Sequence, residues 1–191
     1  TVPYNGQRMS LLQRIGFDIP IRLADGVIVH ARSGRQSLLE RGVPAHKVSV
    51  VRHGPLRLRC AAAPRTTVRD PRWTFVMFGE IKPYKGLDLM VEAVGRLQPA
   101  LRARMRVIVA GRARMDLDPI VARIGALGLR DCFTLDPRRL SEQEMADLFD
   151  AADSFVFPYR QVDASGVYFL VKASGKWMIA SGLPGRPTGS V

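Results

Sequence analysis

Cysteine and histidine are scarce in this chain, with two of the first and three of the second among 191 residues. Cys60 and Cys132 stand far apart, without a CxxC spacing or a neighbouring histidine, which argues against a disulfide framework and leaves both thiols reduced and structural. His30, His46 and His53 show no metal-ligand spacing, so no metal is expected. Long apolar runs are also lacking: none approaches the roughly 18 residues that a membrane span needs, and no signal-peptide pattern opens the chain. The expected compartment is therefore cytoplasmic. Acidic side chains are the remaining deficit, because 17 Asp and Glu against 29 Lys and Arg leave a net charge of +12. That surplus asks for an anionic partner without naming one. Nucleic acid is not the expected partner, since the basic residues are scattered and no helix-turn-helix, RRM or zinc-finger signature accompanies them. Anionic phospholipid headgroups suit the same surplus, giving peripheral contact at the inner face of a membrane, while ordinary solvated faces account for many of the arginines.

What is present is enough apolar material, 47% of the residues, for a core and a second partial domain. The most informative stretch runs from Phe78 to Asp88, FGEIKPYKGLD. A short β-rich apolar run, Trp73 to Phe78, precedes it, and Leu87, Met90, Val91, Val94 and Leu97 follow at helical spacing. Pro83 and Gly86 punctuate the turn between them. A helix start offers unpaired N–H groups and partial positive charge, so Lys85 adds a full charge where an anion would sit. A solvated loop fits the spacing equally well.

The same alternation continues: strand 106–110, helix 117–127, strand 132–135, helix 141–151, strand 154–157, helix 165–174 and strand 177–180. Strands alternating with helices of this length imply right-handed crossovers and an α/β, Rossmann-like, doubly wound parallel sheet. Such sheets bind ligands beyond the carboxyl ends of their strands, where Lys85 falls.

In order and spacing, Ala24 to His30, Lys47 to Gly54, Phe78 to Leu87, Ala151 to Asp153 with Pro158 to Arg160, and Ser165-Gly166 with Gly175-Lys176 resemble the landmarks of family 4, or group 1, glycosyltransferases. The resemblance implies a GT-B fold, two Rossmann-like domains across a cleft, with a nucleoside-diphosphate sugar held mainly by the C-terminal one. It implies that residues 1–63 end the acceptor-side domain, that 64–71 form a linker, and that 72–191 are a truncated donor-binding domain. The chain thus reads as a fragment, inactive alone, of a retaining hexosyltransferase-type enzyme that passes a sugar to a glycan or lipid-linked hydroxyl. Nucleotide-sugar binding without turnover is the alternative.

Within that resemblance, Lys85 matches the lysine of the family's KG turn and would stabilise charge on the leaving phosphate. Gly79 belongs to the same turn, and Lys82 is either a second contact or a solvated neighbour. Ser165 suits a helix N-cap and Gly166 permits close backbone approach to phosphate. Gly111 and the Asp136 to Arg139 loop would lie nearer the base, with Arg139 a candidate contact. The donor is substrate, and no cofactor is expected. Three positions depart from the family: Ala164 and Lys172 replace two glutamates, and Glu80 stands where many members have arginine. Glu80 is expected to turn away from a diphosphate or pair with an arginine, and Lys172 to reach solvent.

Overall fold

The computed structural model describes residues 11–52, 54, 56–63, 70–160 and 165–182. They divide into two compact units, the first drawn from the described residues up to 54 with 165, 166 and 182, the second from those between 56 and 160 with 167–181.

The first unit contains α1 (Leu11–Leu23), β1 (Val27–Val29), α2 (Arg32–Glu40) and β2 (Val48–Val50). Strands β1 and β2 pair in parallel, Val27 against Val48, with α2 as the crossover. Val29, Leu38, Val43 and Val48 make its core. The Lys47 ammonium donates to the carbonyls of Arg22 and Ala24 at 3.4 and 3.0 Å, securing the end of α1.

The second unit runs β3 (Trp73–Phe78), α3 (Leu87–Gly95), α4 (Pro99–Arg102), β4 (Met105–Ala110), α5 (Asp118–Ala126), β5 (Phe133–Asp136), α6 (Glu142–Ala151), β6 (Ser154–Phe157), α7 (Gly166–Ala173) and β7 (Trp177–Ala180). Five parallel strands lie in the order β5-β4-β3-β6-β7. The chain therefore moves outward from β3 through β4 to β5, then returns to place β6 on the opposite side of β3. That reversal opens a crevice at the carboxyl ends of β3 and β6, where open α/β sheets take ligands.

Burial explains the strands. Val76, Val107, Val109 and Phe155 are almost wholly buried, as residues of a sheet covered on both faces must be. Leu87, Met90, Val91 and Val94 recur at helical spacing and give α3 its buried stripe. Phe149 of α6 packs on Phe155 with ring centroids 4.5 Å apart and meets Phe78 edge-on at 5.7 Å.

The expected boundaries hold at Trp73–Phe78, Ser154–Phe157 and Trp177–Ala180 and shift elsewhere. Helix α3 stops at Gly95, and Pro99 starts the short α4, since proline suits a first helical position. Strand β5 extends to Asp136, which pairs with Ala110. Residues 56–63 lie along α6: Gln143 donates to the Ala61 carbonyl at 3.0 Å, and the Ala63 N–H donates to Asp147 at 2.8 Å. Of the expected linker, residues 64–69 lie outside the described residues, as do 183–191 of the Gly/Pro/Ser-rich tail.

Helix α6 begins with a capping box. Ser141 Oγ accepts from the Glu144 N–H at 3.2 Å, and the Glu144 carboxylate accepts from the Ser141 N–H at 2.8 Å. Ser141→Ala is expected to cost about 1 kcal/mol in chemical denaturation, with Ser141→Asp close to wild type. Equal stability of the alanine variant would show that the cap contributes nothing.

Candidate functional site at the carboxyl edge of the sheet

Beyond the carboxyl ends of β3, β4 and β5 the backbone continues to pair. The Gly79 N–H donates to Ala110 at 2.9 Å, the Gly111 N–H to Asp136 at 3.0 Å and the Ile81 N–H to Arg112 at 2.9 Å. Arg114 returns a bond to the Ile81 carbonyl at 2.9 Å, so Ile81 and Ala113 form one further parallel bridge. Gly111 makes this possible. Its φ is 135°, and a Cβ there would lie 2.4 Å from the Gly79 carbonyl oxygen, so no side chain fits without displacing the turn.

A 3-10 turn, Pro83–Lys85, then carries the chain into α3 through Gly86 at φ 72°. A Cβ on Gly86 would stand 2.1 Å from the Pro158 carbonyl oxygen, so this glycine lets the segment after β6 cross the turn. Arg160 fastens the crossing. Its N–H donates to Tyr84 O at 2.7 Å, and its guanidinium donates to Pro83 O at 3.2 Å and holds both carboxylate oxygens of Asp88 in the first turn of α3. The Arg160 guanidinium holds the Asp88 carboxyl below the usual range.

Lys85 is folded back into this crossing and is only 9% exposed. Its ammonium lies 5.6 Å from the centroid of the buried Tyr159 ring and over Gly79, where a Cβ would approach Nζ to 3.1 Å. Beneath it is a cavity of about 10 Å³, lined among others by Leu87, Val109 and Val156. Among the described residues, none offers Nζ a hydrogen bond or an ion pair. Burial is the main reason that the Lys85 pKa falls from 10.5 to about 8, with the Lys82 charge adding to it and the Glu80 charge opposing it. A largely buried cation that no described residue pairs, at a sheet's carboxyl edge, is a candidate anion-binding group.

The other candidate residues have different surroundings. Lys82 is ion-paired to Glu80 at 2.8 Å, and Arg114 holds the other oxygen of the same carboxylate at 3.0 Å. Those two partners, Lys82 first, pull the Glu80 pKa down to about 2. Glu80 therefore pairs with an arginine, as expected, and also with a lysine. Arg139 is exposed, whereas Arg138 is committed to Asp136 and Glu144 at 3.0 and 2.6 Å. Ser165 precedes and Gly166 begins α7, and Val167 of its first turn faces Gly79. Asp163 and Ala164 lie outside the described residues, and Lys172 is exposed. Tyr159, Arg160 and Arg114 carry much of this geometry and received no role from the sequence, because they meet the turn only through the fold. Among the described residues no group of three His, Cys, Asp or Glu side chains converges as metal ligands would.

The family model for glycosyl transferases group 1 matches residues 72–189, which contain the whole of this crossing. The chain belongs to that family. A D-inositol 3-phosphate glycosyltransferase of Kineococcus radiotolerans is 27% identical over 189 residues, covering 91% of this chain and 43% of that protein. In structure, this group 1 chain is similar to Anabaena Alr3699/HepE, solved in complex with UDP and glucose: TM-score 0.74, 17% identity, 93% of this chain and 50% of that one. It is similar also to sucrose-phosphate synthase from Thermosynechococcus elongatus: TM-score 0.73, 18% identity, 95% and 47%. The parallel sheet is thus that of a GT-B glycosyltransferase domain. The chain spans about half the length, or less, of the relatives it matches.

Burying a charge costs stability, and Lys85 makes that cost measurable. Below about pH 8 the lysine is protonated folded and unfolded, and the folded state bears the full penalty. Between about pH 8 and 10.5 the folded state releases the proton first, so stability rises with pH. Lys85→Met is expected to be more stable than wild type by about 3 kcal/mol at pH 7, with the difference vanishing towards pH 10.5. Denaturation midpoints across this range check it; a methionine variant that is less stable at pH 7 contradicts the burial account.

Proposed function

We propose that this chain carries the nucleotide-sugar site of a glycosyltransferase that moves a sugar from a nucleoside diphosphate to a hydroxyl acceptor, with retention at the anomeric carbon. The observation that carries the reading is Lys85: a buried ammonium at the topological switch point of a group 1 glycosyl transferase sheet. Breaking the bond between the sugar carbon and the diphosphate places extra negative charge on the leaving phosphate, and a fixed, desolvated cation stabilises that charge more than water does. Arg160 and the Gly86 crossing do not touch the donor; they hold the turn that carries Lys85 before the charge develops.

Around Lys85, the Gly79 and Gly111 turns give the donor close backbone approach, Lys82 is a second cation for the diphosphate, and Ser165 with Gly166 supplies N–H groups at the start of α7. Arg139, exposed beyond β5, faces the base. The acceptor is a glycan or lipid-linked hydroxyl and the donor a hexose conjugate. The complex of the Anabaena relative with UDP and glucose supports a uridine nucleotide as the first donor to try. Retention follows front-face attack, in which the leaving phosphate oxygen takes the acceptor proton while the protein contributes position and charge. The surplus of basic side chains supports a peripheral meeting with an anionic membrane that presents a lipid-linked acceptor.

A second reading, nucleotide-sugar binding without turnover by these 191 residues, is favoured by the span of 43% of the Kineococcus relative. Incubating the chain with UDP-sugars and candidate acceptors separates the two.

The site itself is tested by ligand binding. Among nucleoside diphosphates, at least one should raise the melting temperature by mass action. Lys85→Ala should weaken that ligand's calorimetric affinity by about 1.5 to 3 kcal/mol, the range for a hydrogen bond to a charged group. Unchanged affinity in the alanine variant would remove Lys85 from the site.

A further inference from the structure

Three cations gather around one carboxylate at the mouth of the turn. Lys82, two residues past Glu80 on the β3 side, pairs with one oxygen of Glu80 at 2.8 Å. Arg114, on the segment after β4, donates from Nε to the other oxygen at 3.0 Å. Lys85 stands close enough for the charges of both Lys82 and Glu80 to bear on its protonation. The Glu80–Arg114 pair bridges two loops that the backbone bonds between Ile81, Arg112 and Arg114 already hold together, so the carboxylate is not needed to join them.

We propose that Glu80 is an internal counter-anion: it holds Lys82 and Arg114 in the unliganded protein and yields both to the diphosphate of a bound ligand. The inference rests on the reading of this crossing as a diphosphate site. The side chains of Glu80, Lys82 and Arg114 are between 39 and 45% exposed, so each pair is worth little and separates at small cost. Lys85, Lys82 and Arg114 together carry three positive charges, of which Glu80 cancels one. A diphosphate brings more negative charge than a single carboxylate and offers several acceptor oxygens, so it outcompetes Glu80 for both cations. The carboxylate then lowers affinity for every ligand with this group, the leaving nucleoside diphosphate included, which favours its departure. Glu80 is therefore a positioning residue rather than a catalytic one.

Calorimetry with UDP and with inorganic pyrophosphate tests this on the whole chain. Glu80→Gln should bind both probes about 3- to 20-fold more tightly at low salt, the sum expected for releasing two exposed pairs, and the gain should shrink as salt screens it. Glu80→Asp keeps the charge and should stay near wild type. In a Lys82→Gln/Arg114→Gln background the gain from Glu80→Gln should largely vanish; a gain that persists there in full means bare repulsion and overturns the counter-anion role. Equal or weaker binding by Glu80→Gln also overturns it, and leaves the nucleotide reading standing if the wild type binds UDP. Pyrophosphate binding that tightens in Glu80→Gln, without binding of UDP or any other nucleoside diphosphate to either protein, supports the inference and removes the nucleotide reading. No binding of either probe to either protein sinks both.

Discussion

The site depends on one electrostatic constraint: Lys85 is only 9% exposed, and among the described residues no carboxylate bonds its ammonium. A buried cation in that state lowers the stability of the fold, and here burial brings its pKa to about 8. The Tyr159 ring face recovers part of the loss. In the proposed reading of this crossing as a donor site, an anionic ligand would recover the rest.

Everything around Lys85 keeps it there. Sheet order puts the segments after β3 and β6 side by side, and Gly86 lets them cross where a Cβ would strike Pro158. Arg160 ties the crossing to the first turn of α3 through Asp88. Gly111 admits the Gly79 carbonyl and extends the sheet's hydrogen bonding one step past its strands. Neither Gly86 nor Arg160 needs to touch a ligand, yet both hold the turn that carries Lys85. Glu80 belongs to a second, exposed layer, where it is paired with Lys82 and Arg114.

Much of this fold was legible in the sequence because parallel strands read as short apolar runs, whether buried as in β6 or largely exposed as in the edge strand β7. Trp73–Phe78, Ser154–Phe157 and Trp177–Ala180 appear with the boundaries expected. The place of Lys85 was legible for a related reason: a lysine and a glycine between a strand and an amphipathic helix fall at the carboxyl end of a parallel strand. Strand order was not legible, since the return of β6 to the far side of β3 depends on which helices cover which face. The partners of the turn were hidden likewise: Arg114 meets Glu80 across 34 residues and Arg160 meets Asp88 across 72, so no local spacing announces either pair. Lys82 shows the limit from the other side, because two lysines alike in sequence fold into different environments, one buried and one paired on the surface.

The protonation equilibrium of Lys85 is the most direct test. With the lysines isotope-labelled and Lys85 assigned by its loss in Lys85→Met, NMR titration of the side-chain Cε or Nζ signal follows that one group. The predicted midpoint is about pH 8 in the free protein, moving upward when a nucleoside diphosphate is bound. A midpoint near 10.5 that no such ligand moves would show a solvated lysine and contradict the site built around it.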